Sequence, residues 1–77
     1  MYRGKRVLDV GAGDGRIAIG VAQYADESIG IDPDEEAIAL AREKTAGIPN
    51  VRFEVGAAQK LPFPARRFDV VILSWAL

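Results

Sequence analysis

Six residues have the types and spacing to do ligand chemistry: the run Gly11-Ala12-Gly13-Asp14-Gly15 and the acid Asp32. Alternating glycines let backbone approach a ligand where side chains would collide, and a loop that opens a helix adds that helix's free amides. Asp32 follows Gly15 by 17 positions. There an acid at the end of the next strand reaches the two hydroxyls of a bound ribose. A dinucleotide loop reads G-x-G-x-x-G and seats a pyrophosphate on the helix terminus. Here the third glycine arrives one position early, at Gly15, and Arg16 stands where that pattern has glycine. The spacing favours a nucleoside whose amino-acid tail, such as methionine, crosses the turn. Two plainer assignments stand beside these: a tight turn with no ligand for the loop, and a helix cap for Asp32.

Composition removes much other chemistry. The 77 residues contain no cysteine and no histidine, so disulfides, thiolate metal sites, imidazole acid–base chemistry and Cys-His or Ser-His-Asp nucleophiles are absent. No metal site is expected. Hydrophobic residues make up 49% and charged residues 27%, with a net charge of −1, which fits a globular chain and gives no basic face for nucleic acid. Arg3, Lys5 and Arg6, like Arg66 and Arg67, are expected to be solvated loop residues. No apolar run approaches the roughly 20 residues that span a bilayer, and a cytoplasmic location is the default expectation.

The elements that must position the site follow from periodicity. Val7 to Val10 is a short apolar strand stopped by the glycine run. From Arg16, Ile17, Val21 and Tyr24 recur at helical spacing with Ala18, Ala22 and Ala25 beside them. Ser28 to Ile31 is a second strand. Asp32-Pro33-Asp34-Glu35 predicts a helix start with Asp32 as cap and Pro33 in the first turn. That helix runs to about Lys44, with Ala37, Ile38, Ala41 and Thr45 on one face and Gly47 as its stop. Val51, Phe53 and Val55 alternate with Arg52 and Glu54, predicting a half-buried third strand, and Leu61-Pro62-Phe63-Pro64 reads as a loop. Phe68 to Trp75 is a fourth strand, apolar on both faces from Val70 to Leu73.

The expected fold is α/β: half of a doubly wound, Rossmann-like parallel sheet, strand order 3-2-1-4, with two helices on one face. Its switch point lies between strands one and four. Ligands bind at the carboxyl ends of strands there, which places Gly11, Asp32, Gly56, Ala57, Ala58 and Ser74 around one crevice.

Val7-Leu8-Asp9-Val10-Gly11-Ala12-Gly13-Asp14-Gly15 resembles the first motif of class I S-adenosylmethionine-dependent methyltransferases, V-L-D-x-G-x-G-x-G. Ile29-Gly30-Ile31-Asp32 with Ala37 to Arg42 is similar to the second motif and its helix. Leu61 to Pro64 and Phe68 to Leu77 are similar to the third and fourth motifs of the subgroup containing the ubiquinone and menaquinone biosynthesis methyltransferases. The resemblance spans nearly the whole chain. It implies S-adenosylmethionine as cofactor and a methyl acceptor as partner. Asp9 is then expected near the methionine amino group, with Gly11, Ala12 and Gly13 passing under the cofactor. Asp32 is expected on the ribose, Pro33 against the adenine and Ser74 near the methionine end. Trp75 and Leu77 are expected toward the substrate side, or as ordinary core.

Two departures matter. Where the subgroup reads G-D-A-E-D-L-P-F, this chain reads Gly56-Ala57-Ala58-Gln59-Lys60-Leu61-Pro62-Phe63, so the acid for the adenine amino group is Ala57. Unless Gln59 substitutes, losing such a hydrogen bond costs on the order of 1 kcal/mol, roughly tenfold in affinity. The family pattern also continues past Leu77 with further strands and helices, so residues 1–77 are expected to be a truncated cofactor-binding domain lacking the part that positions substrate. The uncovered sheet face and apolar fourth strand predict association with a second copy or with the missing half. Two rival functions are a noncatalytic nucleoside-binding or interaction module, favoured by Ala57, and a nicotinamide-binding domain, disfavoured by the loop spacing.

Overall fold

The computed structural model describes residues 4–57 and 67–74. The chain forms β1 (Arg6–Val10), α1 (Arg16–Ala22), β2 (Glu27–Asp32), α2 (Glu35–Lys44), β3 (Val51–Val55) and β4 (Val70–Leu73). The four strands pair in parallel in the order β3-β2-β1-β4, which is the expected order. Side chains alternate along each strand. In this register Val7, Asp9, Ser28, Gly30, Val51 and Phe53 share one face, and Leu8, Val10, Ile29 and Ile31 share the other.

Both helices cover the first face, as right-handed crossovers running in one direction require. Ala18 and Ala22 of α1 and Ile38 and Ala41 of α2 bury together with Ala12, Val51 and Phe53. Nearer β4, Val7 packs with Val21 and Ala25, and Val70 and Ile72 lie against them. The contact stripe of α1 is narrower than its periodicity suggested. Ile17 and Tyr24, expected inward, are 40% and 61% exposed. The seven-residue helix buries Ala18, Val21 and Ala22, and Ile19 packs half-buried against the same core. The Ser28 hydroxyl donates to the Ala18 carbonyl at 2.8 Å. Asn50 Nδ2 donates to Ala22 and Ala25 carbonyls at 2.7 and 3.1 Å, satisfying the open end of α1.

The start of α2 differs from expectation. Asp34 is its cap, not Asp32: Asp34 Oδ1 accepts from Glu36 N at 3.0 Å and Ala37 N at 3.3 Å, and Pro33 precedes the helix. Glu35 and Glu36 in the first turn and Arg42 and Lys44 in the last complement the dipole. The helix stops at Thr45, whose hydroxyl donates to the Ala41 carbonyl at 2.9 Å, before Gly47 is reached.

The second face is not bare, which corrects the sequence expectation. Leu8, Ile29 and Ile31 are fully buried there and Val10 nearly so, in a cluster with Phe68, which precedes β4. Val71 and Leu73 on edge strand β4 remain about half exposed. At its start β4 is tied to β1 by two backbone donors. Asp69 N reaches the Arg6 carbonyl, and Arg6 N reaches Asp69 Oδ2, both at 2.8 Å. At the opposite edge β3 is half-buried as expected, and Arg42 Nε and Nη2 donate to the Phe53 carbonyl at 3.1 and 2.9 Å. Among the described residues no helix is long and apolar enough to cross a membrane.

Candidate functional site

The carboxyl ends of β1, β2 and β3 converge on the glycine loop. Gly11 N and Ala12 N both donate to the Ile31 carbonyl, at 2.8 and 2.9 Å, so the loop leaves β1 already fastened to β2. Gly11, Gly13 and Gly15 all have positive φ. At Gly15 the requirement is double: φ is +88°, and an added Cβ would lie 2.6 Å from Phe53 Cζ and 3.2 Å from Ala41 Cβ. The third glycine of the motif is therefore set by packing under Phe53 and α2. At Gly13 a Cβ would meet nothing within 4 Å, so that part of the loop is open.

Asp32 stands at the end of β2, half-buried, with each carboxylate oxygen engaged by a different amide. Oδ2 accepts from Gly13 N at 3.0 Å, and Oδ1 accepts from Asp34 N at 2.8 Å. Its carbonyl accepts from Gly56 N at 3.1 Å, which holds the chain leading to Ala57 beside β2. A carboxylate oxygen has two lone pairs, so one acceptor position on each oxygen stays free beyond the two amides.

Asp9, on β1 just before the loop, is fully buried. The Ser74 hydroxyl, just past β4, donates to its Oδ1. Oδ2 is buried and finds no hydrogen-bond partner among the described residues. Burial pushes the Asp9 carboxyl above its ordinary range; the Ser74 hydrogen bond opposes this, and the charge of Asp32 adds to it. Asp14, in the loop, is exposed and pinned to the end of α2: Lys44 Nζ lies 3.1 Å from its Oδ2, and Arg16 N donates to its Oδ1 at 3.3 Å. The Lys44 hydrogen bond, followed by that from Arg16 N, holds the Asp14 carboxyl below its usual range.

The structure thus brings Asp9, Gly11, Ala12, Gly13, Asp32 and Ser74 together through hydrogen bonds at the strand ends. Pro33 is exposed next to Asp32, and Ala57 follows Gly56. Ala58, Gln59, Trp75 and Leu77 lie outside the described residues. Sequence reasoning missed the support beneath the site. Gly30 is opposite Asp9 in register, and a Cβ there would lie 2.7 Å from Phe53 Cδ1 and 2.8 Å from Ala12 Cβ. The signal available was the period-2 alternation that turns Phe53 toward the helix face. Lys44 and Asp34 carried no signal beyond helix-end preferences. Among the described residues, no cluster of acids could hold a metal ion.

A four-stranded parallel sheet in this order, with a glycine loop and an acid meeting at the strand ends, defines a Rossmann-like α/β fold. A model of the methyltransferase-domain family matches residues 7–77, and the chain belongs to that family. It is 41% identical over 73 residues to the uncharacterized methyltransferase YcgJ of Bacillus subtilis, covering 92% of this chain and 29% of that protein. The crystal structure of YcgJ superposes with a TM-score of 0.84 at 40% identity, over 91% of this chain and 31% of that one. The ubiquinone/menaquinone biosynthesis C-methyltransferase UbiE of Geobacter sulfurreducens is 35% identical over 80 residues, covering 96% of this chain and 31% of that protein. Phosphoethanolamine N-methyltransferase 1 of Haemonchus contortus, solved with phosphoethanolamine and S-adenosylhomocysteine, matches with a TM-score of 0.83 at 30% identity, over 91% of this chain and 15% of that one. The chain therefore spans less than a third of the length of each of these relatives.

Proposed function

We propose that residues 1–77 form the S-adenosylmethionine crevice of a methyltransferase that transfers a methyl group to an acceptor. The observation that carries this is Asp32, a half-exposed carboxylate at the end of β2 whose two oxygens are oriented by Gly13 N and Asp34 N. Fixed in this way, it offers one free acceptor position per oxygen, which suits the paired hydroxyls of a ribose. The open Gly13 leaves room for a ligand's tail to cross the loop. Asp9, sealed at the end of β1 with an unsatisfied oxygen, places negative charge beside the positive amino group of a methionine tail. Gly11 and Ala12 form the backbone floor, Pro33 and Ala57 flank the adenine side, and Ser74 closes the methionine end through Asp9.

When bound, the cofactor supplies an electrophilic methyl group on a sulfonium, so the protein's contribution is binding and alignment. Asp32 orients the nucleoside, the loop backbone fixes the tail, and the Asp9 charge favours the cationic end. The nucleoside-binding module without catalysis is the second reading, favoured by Ala57, which offers the adenine amino group no side-chain acceptor. Association with a second chain now rests on β4, where Val71 and Leu73 are exposed.

Calorimetric titration of S-adenosylmethionine and S-adenosylhomocysteine into the wild type and Asp32→Ala tests the proposal. Saturable binding that weakens at least tenfold in the variant, a loss of about 1.4 kcal/mol, is expected. Absence of binding by the folded wild type overturns it. Turnover against a methyl acceptor separates enzyme from module, and the mass in the same solution tests association.

A further inference from the structure

Asp32 joins two pieces of backbone that are otherwise held differently. The base of the loop is fastened independently of it, by Gly11 N and Ala12 N on the Ile31 carbonyl. The far end is wedged, with Gly15 under Phe53, and Asp14 is engaged by Lys44 and Arg16 N. Between them, Gly13 has a left-handed φ of +58° and open space where a side chain would be, so packing does not hold it. Its amide is held by Asp32 Oδ2. The other Asp32 oxygen takes Asp34 N, whose own side chain caps α2. One carboxylate therefore sets the position of the loop relative to the start of the next helix.

We propose that Asp32 is a positioning residue for the glycine loop as well as a ligand for the ribose, so that losing its carboxylate also weakens the hold on the ligand's tail, which Asp32 does not itself contact. The inference rests on the nucleoside site proposed above. A residue acting only on the ribose hydroxyls contributes nothing to a ligand that lacks them. A residue that also shapes the loop contributes to both ligands, because the tail crosses Gly13 in either case. Retaining the Gly13 amide bond keeps the loop ready before the ligand arrives, which lowers the ordering cost of binding.

The test is a cycle of two ligands and three proteins. S-adenosylhomocysteine and its 2′,3′-dideoxy analogue are titrated into the wild type, Asp32→Ala and Asp32→Asn, and amide hydrogen exchange at Gly13 is followed in the ligand-free proteins. The dideoxy analogue is expected to bind Asp32→Ala about fivefold more weakly than the wild type, the equivalent of one hydrogen bond of ~1 kcal/mol. Gly13 exchange is expected to accelerate while Ile29 and Ile31 in β2 keep their protection. Asp32→Asn retains one carbonyl acceptor and is expected to fall between, and it serves if the alanine variant does not fold. Equal affinity of the dideoxy analogue for wild type and variant, or unchanged exchange at Gly13, overturns the positioning role alone. Failure of S-adenosylhomocysteine to bind the wild type overturns the nucleoside site itself, with the exchange measurement still deciding whether Asp32 anchors the loop.

Discussion

Asp9 and Asp32 stand near the carboxyl ends of neighbouring strands, yet they are built in opposite ways. Asp32 is half-exposed, with both oxygens satisfied by backbone amides and lone pairs to spare. Asp9 is fully buried, with one oxygen held by Ser74 and the other unsatisfied. A buried carboxylate with one partner, as at Asp9, is costly to ionise. The cost of burying a carboxylate therefore falls on Asp9. Asp32 is held by amides of the glycine loop and of the residue before α2, while Asp9 depends on one side-chain hydroxyl just past β4.

That contrast can be broken or sharpened by substitution. The largest effect is expected at Gly30, which is opposite Asp9 in register and two residues before Asp32. Gly30→Ala forces a Cβ to 2.7 Å from the buried Phe53 ring and 2.8 Å from Ala12 Cβ. Overpacking of this kind is expected to cost about 3 kcal/mol, read as a lowered denaturation midpoint, and to erase the difference between the two carboxylates by displacing both. Next is Ser74→Ala, which strips Asp9 of its remaining donor. A loss of about 2 kcal/mol at neutral pH is expected in chemical denaturation, and the Asp9 carboxyl, followed by NMR, is expected to titrate at higher pH than in the wild type. The smallest effect has the opposite sign: Asp9→Asn keeps an acceptor for Ser74 and removes the buried charge, so a gain of about 1 kcal/mol at neutral pH is expected.

The pH dependence of that gain follows from the raised carboxyl. Between the ordinary value of 3.8 and the higher folded value, native Asp9 holds its proton while the unfolded chain has lost it. The wild type therefore loses stability as pH rises through this window, and Asp9→Asn does not. The stability difference between them grows across the window and is constant above it. A difference that shrinks as pH rises would show that Asp9 is stabilised as a carboxylate.

Strand order, the face chosen by both helices and the meeting of loop and acid were legible because each rests on local pattern plus the handedness of parallel crossovers. The cap of α2 was not. Asp32 and Asp34 both precede the helix with suitable side chains, and the choice was made by Gly13 N, 19 residues away, which draws Asp32 into the crevice. Ile17 and Tyr24 fit a helical stripe, but α1 ends at Ala22 and buries Ala18, Val21 and Ala22, which leaves both side chains exposed. The covered second face was likewise out of reach, because nothing near Phe68 in sequence says that its ring joins Leu8 and Ile31. Local chemistry names the parts, and contacts between distant segments decide which of two equivalent residues takes each role.

The Phe53 ring occupies the volume that a side chain would need at Gly15 and at Gly30, positions in different elements. One aromatic residue thereby constrains two glycines at once, beside the φ of Gly15 and the Ala12 contact of Gly30, and substitutions at the three sites become order-dependent. Neither glycine can gain a methyl group until residue 53 has become smaller. A smaller residue there relieves one contact at each position, while Gly30 still faces Ala12 Cβ at 2.8 Å and Gly15 keeps its φ of +88°. Divergence along this lineage would then run through position 53 first, and the glycine spacing that reads as a ligand signature is partly a record of what stands there.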